Sequence, residues 1–267
     1  VAMGKMGGHE LNPSYDIDLV FFYEDDGLTT GKDPISNHDF FNKLGKLIIT
    51  SLNDYTEEGI VFRVDMRLRP FGSQGLLVTP LESFEDYLVT HGLDWERYAW
   101  LKSRVVLGPA VWINSLIEPF VYRKYLDFNI FTSLRNIKKK IGQDMQKKIN
   151  AGDIKVGRGG IRTLEFIVQS FQLVRGGKDR SLRCRGFMEA LTQLKNHKLI
   201  PNKTAKTLYD CYIFFRHLEH RLQYVDDSQT HKLPEKIEEK ALLAGAMNCK
   251  SWTVLEKNIH HHQDRVE

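Results

Sequence analysis

From Pro109 to the C-terminus the sequence offers no run that reads as a β-strand. Apolar residues recur there at helical spacing over about 132–150, 160–175, 184–198, 203–227, 235–247 and 251–264, so this part must bury its core helix against helix. One glycine-rich, basic stretch, "NAGDIKVGRGG", interrupts the series. The first hundred residues are different in kind, with strand-like and helix-like segments alternating. The sequence therefore predicts an α+β chain with a break near 106–110: a mixed domain over 1–108 and an all-helical domain over 109–267.

Within the mixed part, Asp16 to Tyr23 reads as a strand from its length and its aromatic and branched residues. "SNHDFFNKLGKLIITSL" reads as a helix. Ser36 and Asp39 make its capping box, and Phe40, Leu44, Leu47, Ile48 and Leu52 form its apolar stripe. "GIVFRVDMRLRP" alternates, with Phe62, Val64, Met66 and Leu68 on one side and Arg63, Asp65, Arg67 and Arg69 on the other. Pro70 to Gly75 reads as a turn, and "LLV" as a short returning strand. Thr79, Pro80 and Glu82 predict a helix start, Gly92 its end, and Asp94 the cap of a further helix, "WERYAWLKSRVV".

Alternation places Asp16, Asp18, Val20 and Phe22 on one face of the first strand. Two carboxylates so close repel unless a cation lies between them. Paired aspartates offer oxygen donors only, which suits Mg²⁺ or Mn²⁺. Asp65, among arginines on a second strand, supplies a third carboxylate if the two strands are neighbours. Three such groups are the minimal cage for two divalent ions about 4 Å apart in phosphoryl- and nucleotidyl-transfer sites. An Asp-x-Asp pair alone is common at turns and caps, and glycosyltransferases use it on Mn²⁺. Here Gly7 and Gly8 lie just upstream, where backbone amides can cradle a phosphate. Arginines flank Asp65, of which Arg67 is a phosphate-binding candidate. Arg63, Arg67 and Arg69 also read as a solvated face pairing with Asp65.

The loop from Lys155 to Gly160 opens onto a helix whose N-terminus and nearby cations favour phosphate. Arg162, Glu165, Gln169 and Gln172 form one polar stripe on that helix, and Arg216, Glu219 and Gln223 repeat the theme on another. Both stripes read equally as ordinary solvent faces with internal Arg–Glu pairs. Lys102 and Arg104 are further candidates for phosphate contact. Trp95, Tyr98 and Trp100 read as core. His217 and His220 read as a solvated face, the His260–His262 run as a natural helix end, and "KKKIGQDMQKK" as a solvated helix face.

Composition sets the outer limits. Of 267 residues 42% are hydrophobic, enough for a core. The net charge of +4 permits an anionic partner without requiring nucleic acid. Cys184, Cys211 and Cys249 fit no metal spacing and read as free thiols of a cytoplasmic protein. No apolar run reaches the roughly 20 residues of a membrane helix, and no signal peptide is visible. The first motif comes within a few residues of the start, which reads as a fragment lacking an upstream part.

"MGKMGGHELNPSYDIDLVF" resembles the Gly-Gly…Glu-Leu-Asn…Ser-Asp-x-Asp-Leu signature of the bacterial glutamine synthetase adenylyltransferase/adenylyl-removing enzymes. "RVDMRLRPFGSQGLLV", "DWERYAWLKSRVV" and "KVGRGGIRTLEFIVQSFQLVRGG" are similar to the N-terminal, adenylyl-removing half of that bifunctional family. Tyr15 stands where the family usually has Ser, and Thr163 where it usually has Glu. The resemblance implies a DNA polymerase beta-like nucleotidyltransferase domain followed by helices. It implies Mg²⁺ or Mn²⁺ on Asp16, Asp18 and Asp65, and nucleotide or phosphate contacts at Gly7, Gly8 and Ser14. The implied reaction is phosphorolysis of adenylyl-tyrosine on glutamine synthetase, with phosphate consumed and ADP released. The PII signalling protein and glutamine would be effectors. Adenylyl transfer from ATP and a catalytically silent regulatory module remain open beside it. An RNA nucleotidyltransferase would bind RNA in a salt-sensitive way, which the modest charge does not encourage.

Overall fold

The computed structural model describes residues 1–14, 16–123, 132, 134–136, 138, 139, 142, 152–225 and 229–267. Most of the helix expected at 132–150, the "KKKIGQDMQKK" face and Tyr15 lie outside the described residues. The chain divides into two compact units. The first holds Val1–Leu11 and Tyr15–Lys124, the second Asn12–Ser14 and Tyr125–Glu267. No described helix is long and apolar enough to cross a membrane.

The first unit is mixed, as the alternating segments predict. The expected strand from Asp16 to Tyr23 is split into β1 (Ile17–Asp18) and β2 (Phe21–Tyr23), which take different partners. β1 pairs in parallel with β3 (Val64–Asp65), and β2 pairs in parallel with β4 (Val78–Pro80). Ile17, Leu19, Ala2 and Met66 bury one apolar cluster here. Phe22 joins Phe84 and Trp100 in another, with ring centroids 4.5 and 6.3 Å away.

Further sequence expectations are corrected in this unit. The long alternating strand over 59–70 shrinks to Val64–Asp65. Its C-terminal end is set by Asp65, whose Oδ1 accepts the Arg67 backbone N–H at 2.8 Å, a local turn that competes with further pairing. Arg69 then donates to the carbonyls of Met66, Ser73 and Gly75 and closes the bend. The returning "LLV" strand is Val78–Pro80, parallel to β2. It takes up Thr79 and Pro80, so helix α3 (Leu81–Thr90) starts without a side-chain cap.

Helix α2 (Asn37–Asn53) has the Ser36 cap the sequence predicts, with the Asp39 N–H donating to Ser36 Oγ at 3.0 Å. It buries the predicted stripe only in part: Ile48 and Leu52 are half-buried, and Leu52 packs against the apolar cluster of β1. Phe40, Leu44 and Leu47 are exposed, while Gly45 is buried. A Cβ at Gly45 would lie 3.0 Å from Val78 Cγ2 and 3.2 Å from Phe21 Cδ2. The missing side chain lets α2 lie close on β2 and β4 there, which turns Phe40, Leu44 and Leu47 outward.

The boundary expected at 108 lies inside the first unit. Helix α4 (Asp94–Leu101) carries Arg97, only 2% exposed, whose guanidinium donates to the Val121 carbonyl at 2.9 Å. Val121 ends helix α5 (Ala110–Val121), so a buried cation ties α5 to the mixed unit. Asp94 begins α4 rather than capping it, and Glu96 Oε2 accepts the Leu93 N–H at 2.7 Å instead. Trp100 is core, as expected, whereas Trp95 is 43% exposed.

The second unit is helical among its described residues: α6 (Ile161–Arg175), α7 (Phe187–Asn196), α8 (Asn202–Gln223), α9 (Ile237–Ala246) and α10 (Trp252–Val266). Leu164, Val168, Leu194, Phe215, Leu218 and Leu255 lie at its centre. The three cysteines are free thiols, and burial pushes the Cys184 thiol up to about 11. On α10, His262 stacks on Phe214 at 4.2 Å, and burial pushes its pKa down to about 4, with Arg265 and His261 adding to the shift and Asp210 opposing it. The folded state thus disfavours the imidazolium that the unfolded chain forms below about 6.5. The contribution is whole above that value and declines as pH falls towards 4. For this half-buried ring it amounts to about 1–2 kcal/mol. Melting curves of His262→Gln against the native chain across that window should show the smaller acid loss in the variant.

Candidate active site

The strand register assembles the acidic site of the first unit. Ile17 lies opposite Val64 and Asp18 opposite Asp65, neighbours about 5 Å apart at Cα. Asp16 stands two positions before Asp18, at the entrance to β1. Backbone bonds fix this arrangement: the Ile17 N–H donates to Arg63 O at 2.8 Å and the Leu19 N–H to Asp65 O at 3.0 Å. Asp18 is held from behind by Gly4, where a Cβ would stand 2.5 Å from its Oδ2, and Gly4 takes the left-handed φ of +52°. No other residue type fits at Gly4 without moving that carboxylate.

Arginines neutralise the acids. Arg63 Nε donates to Asp16 Oδ1 at 3.1 Å. Arg67 grips Asp65 with Nε at 2.8 Å and Nη2 at 2.5 Å from Oδ2. That hydrogen bonding holds the Asp65 carboxyl below its ordinary range. Arg67 is held above its own ordinary value by Asp65 first, with Asp18 and Asp16 contributing through their charge. One exposed guanidinium therefore senses all three carboxylates.

This donor set matches a hard divalent cation in kind, since all three groups offer oxygen. The side chains of Asp16 and Asp65 are turned to arginine, and no three His, Cys, Asp or Glu side chains among the described residues stand in a cage for an ion. The backbone placement suits the ion; loading it requires Arg63 and Arg67 to let go.

The glycine pair does not form the expected phosphate cradle. The Gly7 N–H donates to Met3 O at 2.9 Å and the Gly8 N–H to Gly4 O at 3.1 Å, within the short turn α1 (Gly4–Gly7). Gly7 is a packing requirement, because a Cβ there would meet the Lys102 carbonyl oxygen at 1.9 Å. Lys102 and Arg104 support the same turn. Lys102 Nζ donates to Glu10 Oε2 at 2.7 Å in a mostly buried pair, and Arg104 donates to the carbonyls of Met6 and Gly7. Sequence reasoning passed over Glu10 and the buried Lys5, although both stand inside the quoted signature.

In the helical unit the glycine-rich loop caps itself. The N–H groups of Ile161 and Arg162 donate to the carbonyls of Ile154 and Lys155, and those of Thr163 and Leu164 to Gly160. Asp153 Oδ1 accepts the Lys155 and Val156 N–H groups at 2.9 Å. The helix N-terminus therefore has its amides engaged, against the expectation of an open anion site. Its glycines allow close approach: a Cβ at Gly157 would lie 2.1 Å from Asp153 O, and one at Gly159 2.4 Å from Gln263 O. Arg162 is exposed and Glu165 half-buried, but Gln172 leaves the predicted stripe, donating to the carbonyls of Leu182 and Cys184 at 2.7 and 2.8 Å.

The second stripe is buried rather than solvated. Arg216 pairs with Glu219 at 2.5 Å, and Glu219 meets His231 at 2.9 Å. Gln223 is 0% exposed and neither of its amide atoms has a hydrogen-bond partner among the described residues. Asn12 and Ser14, from the signature segment, are buried in this same unit, and Asn12 Oδ1 lies 3.2 Å from His220 Nε2. His217 is exposed, in keeping with the solvated reading, whereas His220 is half-buried and departs from it. His231 carried no sequence signal of its own.

Comparison with known proteins adds the following. The profile of the glutamate-ammonia ligase adenylyltransferase family matches residues 1–114, and that of the GlnD PII-uridylyltransferases matches residues 135–267. Bifunctional glutamine synthetase adenylyltransferase/adenylyl-removing enzymes of Nitrosomonas eutropha and Neisseria meningitidis serogroup A are each 47% identical over 100% of the chain. That of Chromobacterium violaceum is 47% identical over 94% of it. The chain spans 29%, 30% and 28% of the length of these three relatives.

Proposed function

Because the chain belongs to the family of bifunctional glutamine synthetase adenylyltransferase/adenylyl-removing enzymes, we propose that it carries the adenylyl-removing reaction. In that reaction an oxygen of inorganic phosphate attacks the phosphorus of adenylyl-tyrosine on glutamine synthetase. The bond from phosphorus to the tyrosine oxygen breaks, ADP leaves, and the tyrosine oxygen takes a proton. The observation that carries this reading is the register that sets Asp18 beside Asp65, with Asp16 two residues before Asp18. The sequence runs "RVDMRLRP" and "KVGRGGIRTLEF", similar to the adenylyl-removing half, support removal over transfer.

Mg²⁺ or Mn²⁺, held by Asp16, Asp18 and Asp65, would supply charge neutralisation for the phosphates. The chain's own residues do the rest. The carboxylates would hold the ion, and Arg63 and Arg67, released from them, would meet phosphate oxygens. No side chain is needed as general base, since the attacking phosphate is anionic at neutral pH. Rate enhancement then rests on position and charge. In this reading the mixed unit is a nucleotidyltransferase of the DNA polymerase beta-like kind. The helical unit, which carries Arg162 and Glu165, serves as the platform for glutamine synthetase. PII and glutamine act as effectors on the whole enzyme.

The test is direct. The chain is mixed with adenylylated glutamine synthetase, inorganic phosphate and Mg²⁺, and nucleotides are resolved by chromatography. ADP formed in proportion to free tyrosine is the expected result. AMP incorporation from ATP into unmodified glutamine synthetase, without ADP formation in the first assay, would assign the transfer direction instead. Neither product, together with no heat of Mn²⁺ or ADP binding, would mark a silent module.

A further inference from the structure

The stretch 178–206 concentrates charge far beyond the chain average. It holds eight lysines and arginines against two acids, while the whole chain carries only +4. Both acids are engaged at home. Asp179 binds Ser181 and His197, the latter at 2.8 Å, and Glu189 lies against the Cys184 thiol. Lys195, Lys203 and Lys206 are exposed and make no ion pair among the described residues.

Between α7 and the start of α8, two of these lysines, Lys195 and Lys206, border an open groove of about 520 Å³. Leu191 and Ala205, each 4% exposed, form its floor. Lys195 and Lys206 stand on its rim, and Tyr209, 48% exposed, closes one end. α8 begins at the same groove, with Asn202 among its lining residues. No side chain caps that helix start, and its first turn contains no acid. The positive end of a 22-residue helix thus adds to the lysine charge without an internal counter-ion.

We propose that this groove docks an acidic amphipathic segment of a partner protein. Its apolar side chains would rest on Leu191 and Ala205, and its carboxylates would meet Lys195, Lys206 and the start of α8. Nucleic acid is the poorer match, for the floor is aliphatic and one exposed ring, Tyr209, offers no series of stacking platforms. The proposal is independent of the adenylyl chemistry above.

The test uses the full chain and a labelled synthetic helix of about 16 residues with leucines at i, i+4 spacing among glutamates. Fluorescence anisotropy reads binding at about 50 mM and about 300 mM salt. Binding should weaken at the higher salt. Lys195→Glu/Lys206→Glu should weaken it by about tenfold or more, whereas Lys43→Glu/Lys46→Glu, the same charge change on α2, should cost less than about twofold. A peptide with serine for leucine should lose at least about fivefold. No binding at low salt, equal loss in both double variants, or indifference to the serine exchange overturns the proposal. Equal or tighter binding of an oligothymidylate of about 20 nucleotides, lost in the same variant, overturns it in favour of nucleic acid. Lys195→Gln/Lys206→Gln gives the same reading with less electrostatic disturbance of α7.

Discussion

Asp18→Asn lowers ADP formation by on the order of a thousandfold or more, with little change in thermal stability. The amide keeps the shape of the side chain against Gly4 but removes one of three negative charges that would hold a divalent ion. Asp18 ends no helix or turn, so its loss of charge leaves the strand pairs intact. Asp65→Asn behaves differently in one respect. Its Oδ1 also accepts the Arg67 N–H that ends β3, and its Oδ2 takes the Arg67 side chain. This variant should lose activity to a similar degree and lower the melting midpoint as well. Calorimetric titration with Mn²⁺ separates charge from shape: both variants should lose the binding heat, and Arg67→Gln should keep it. Full activity in Asp18→Asn would remove the carboxylate site from the mechanism.

The second large effect is structural. Gly7→Ala places a Cβ 1.9 Å from the Lys102 carbonyl oxygen and 2.8 Å from that of Ala2. Both are backbone atoms, and the two segments are joined by the paired bonds between Ala2 and Arg104. Neither can retreat without breaking those bonds, so the substitution should destabilise the mixed unit by about 3 kcal/mol or more. For a unit of this size the melting midpoint falls by about 10 °C. Gly245→Ala is the internal control. It lies inside α9 with nothing within 4 Å of the added Cβ, and it should stabilise by about 0.5–1 kcal/mol. Differential scanning calorimetry of the two variants gives shifts of opposite sign if glycine at position 7 is required for packing rather than for binding.

Much of the fold is legible from local chemistry. Ser36 caps α2 because its hydroxyl reaches the Asp39 N–H, a contact written within four residues. The helical series after Pro109 is readable because its apolar spacing is set by a core that surrounds it. The acidic residues stand out as charge leading into an apolar strand. What escapes is set by contacts between distant segments. The Arg97–Val121 bond that draws α5 into the mixed unit joins residues 24 apart. Gly45 turns the face of α2 through atoms of β2 and β4, which no periodicity in the helix records. The glycines at 7, 157 and 159 look alike whether they admit a phosphate or a neighbouring carbonyl. Only the coordinates show the carbonyl.

The parallel pairing of β1 with β3 has a spectroscopic consequence. The amides of Ile17 and Leu19 bond across to Arg63 and Asp65 beside the acidic pair, so the repulsion between Asp18 and Asp65 that the arginines leave uncompensated acts on the opening of those bonds. Cation capture would relieve that repulsion, and deuterium uptake at both amides would slow. Two backbone protons, neither of them touching the ligand, would thus report whether the site is charged or filled.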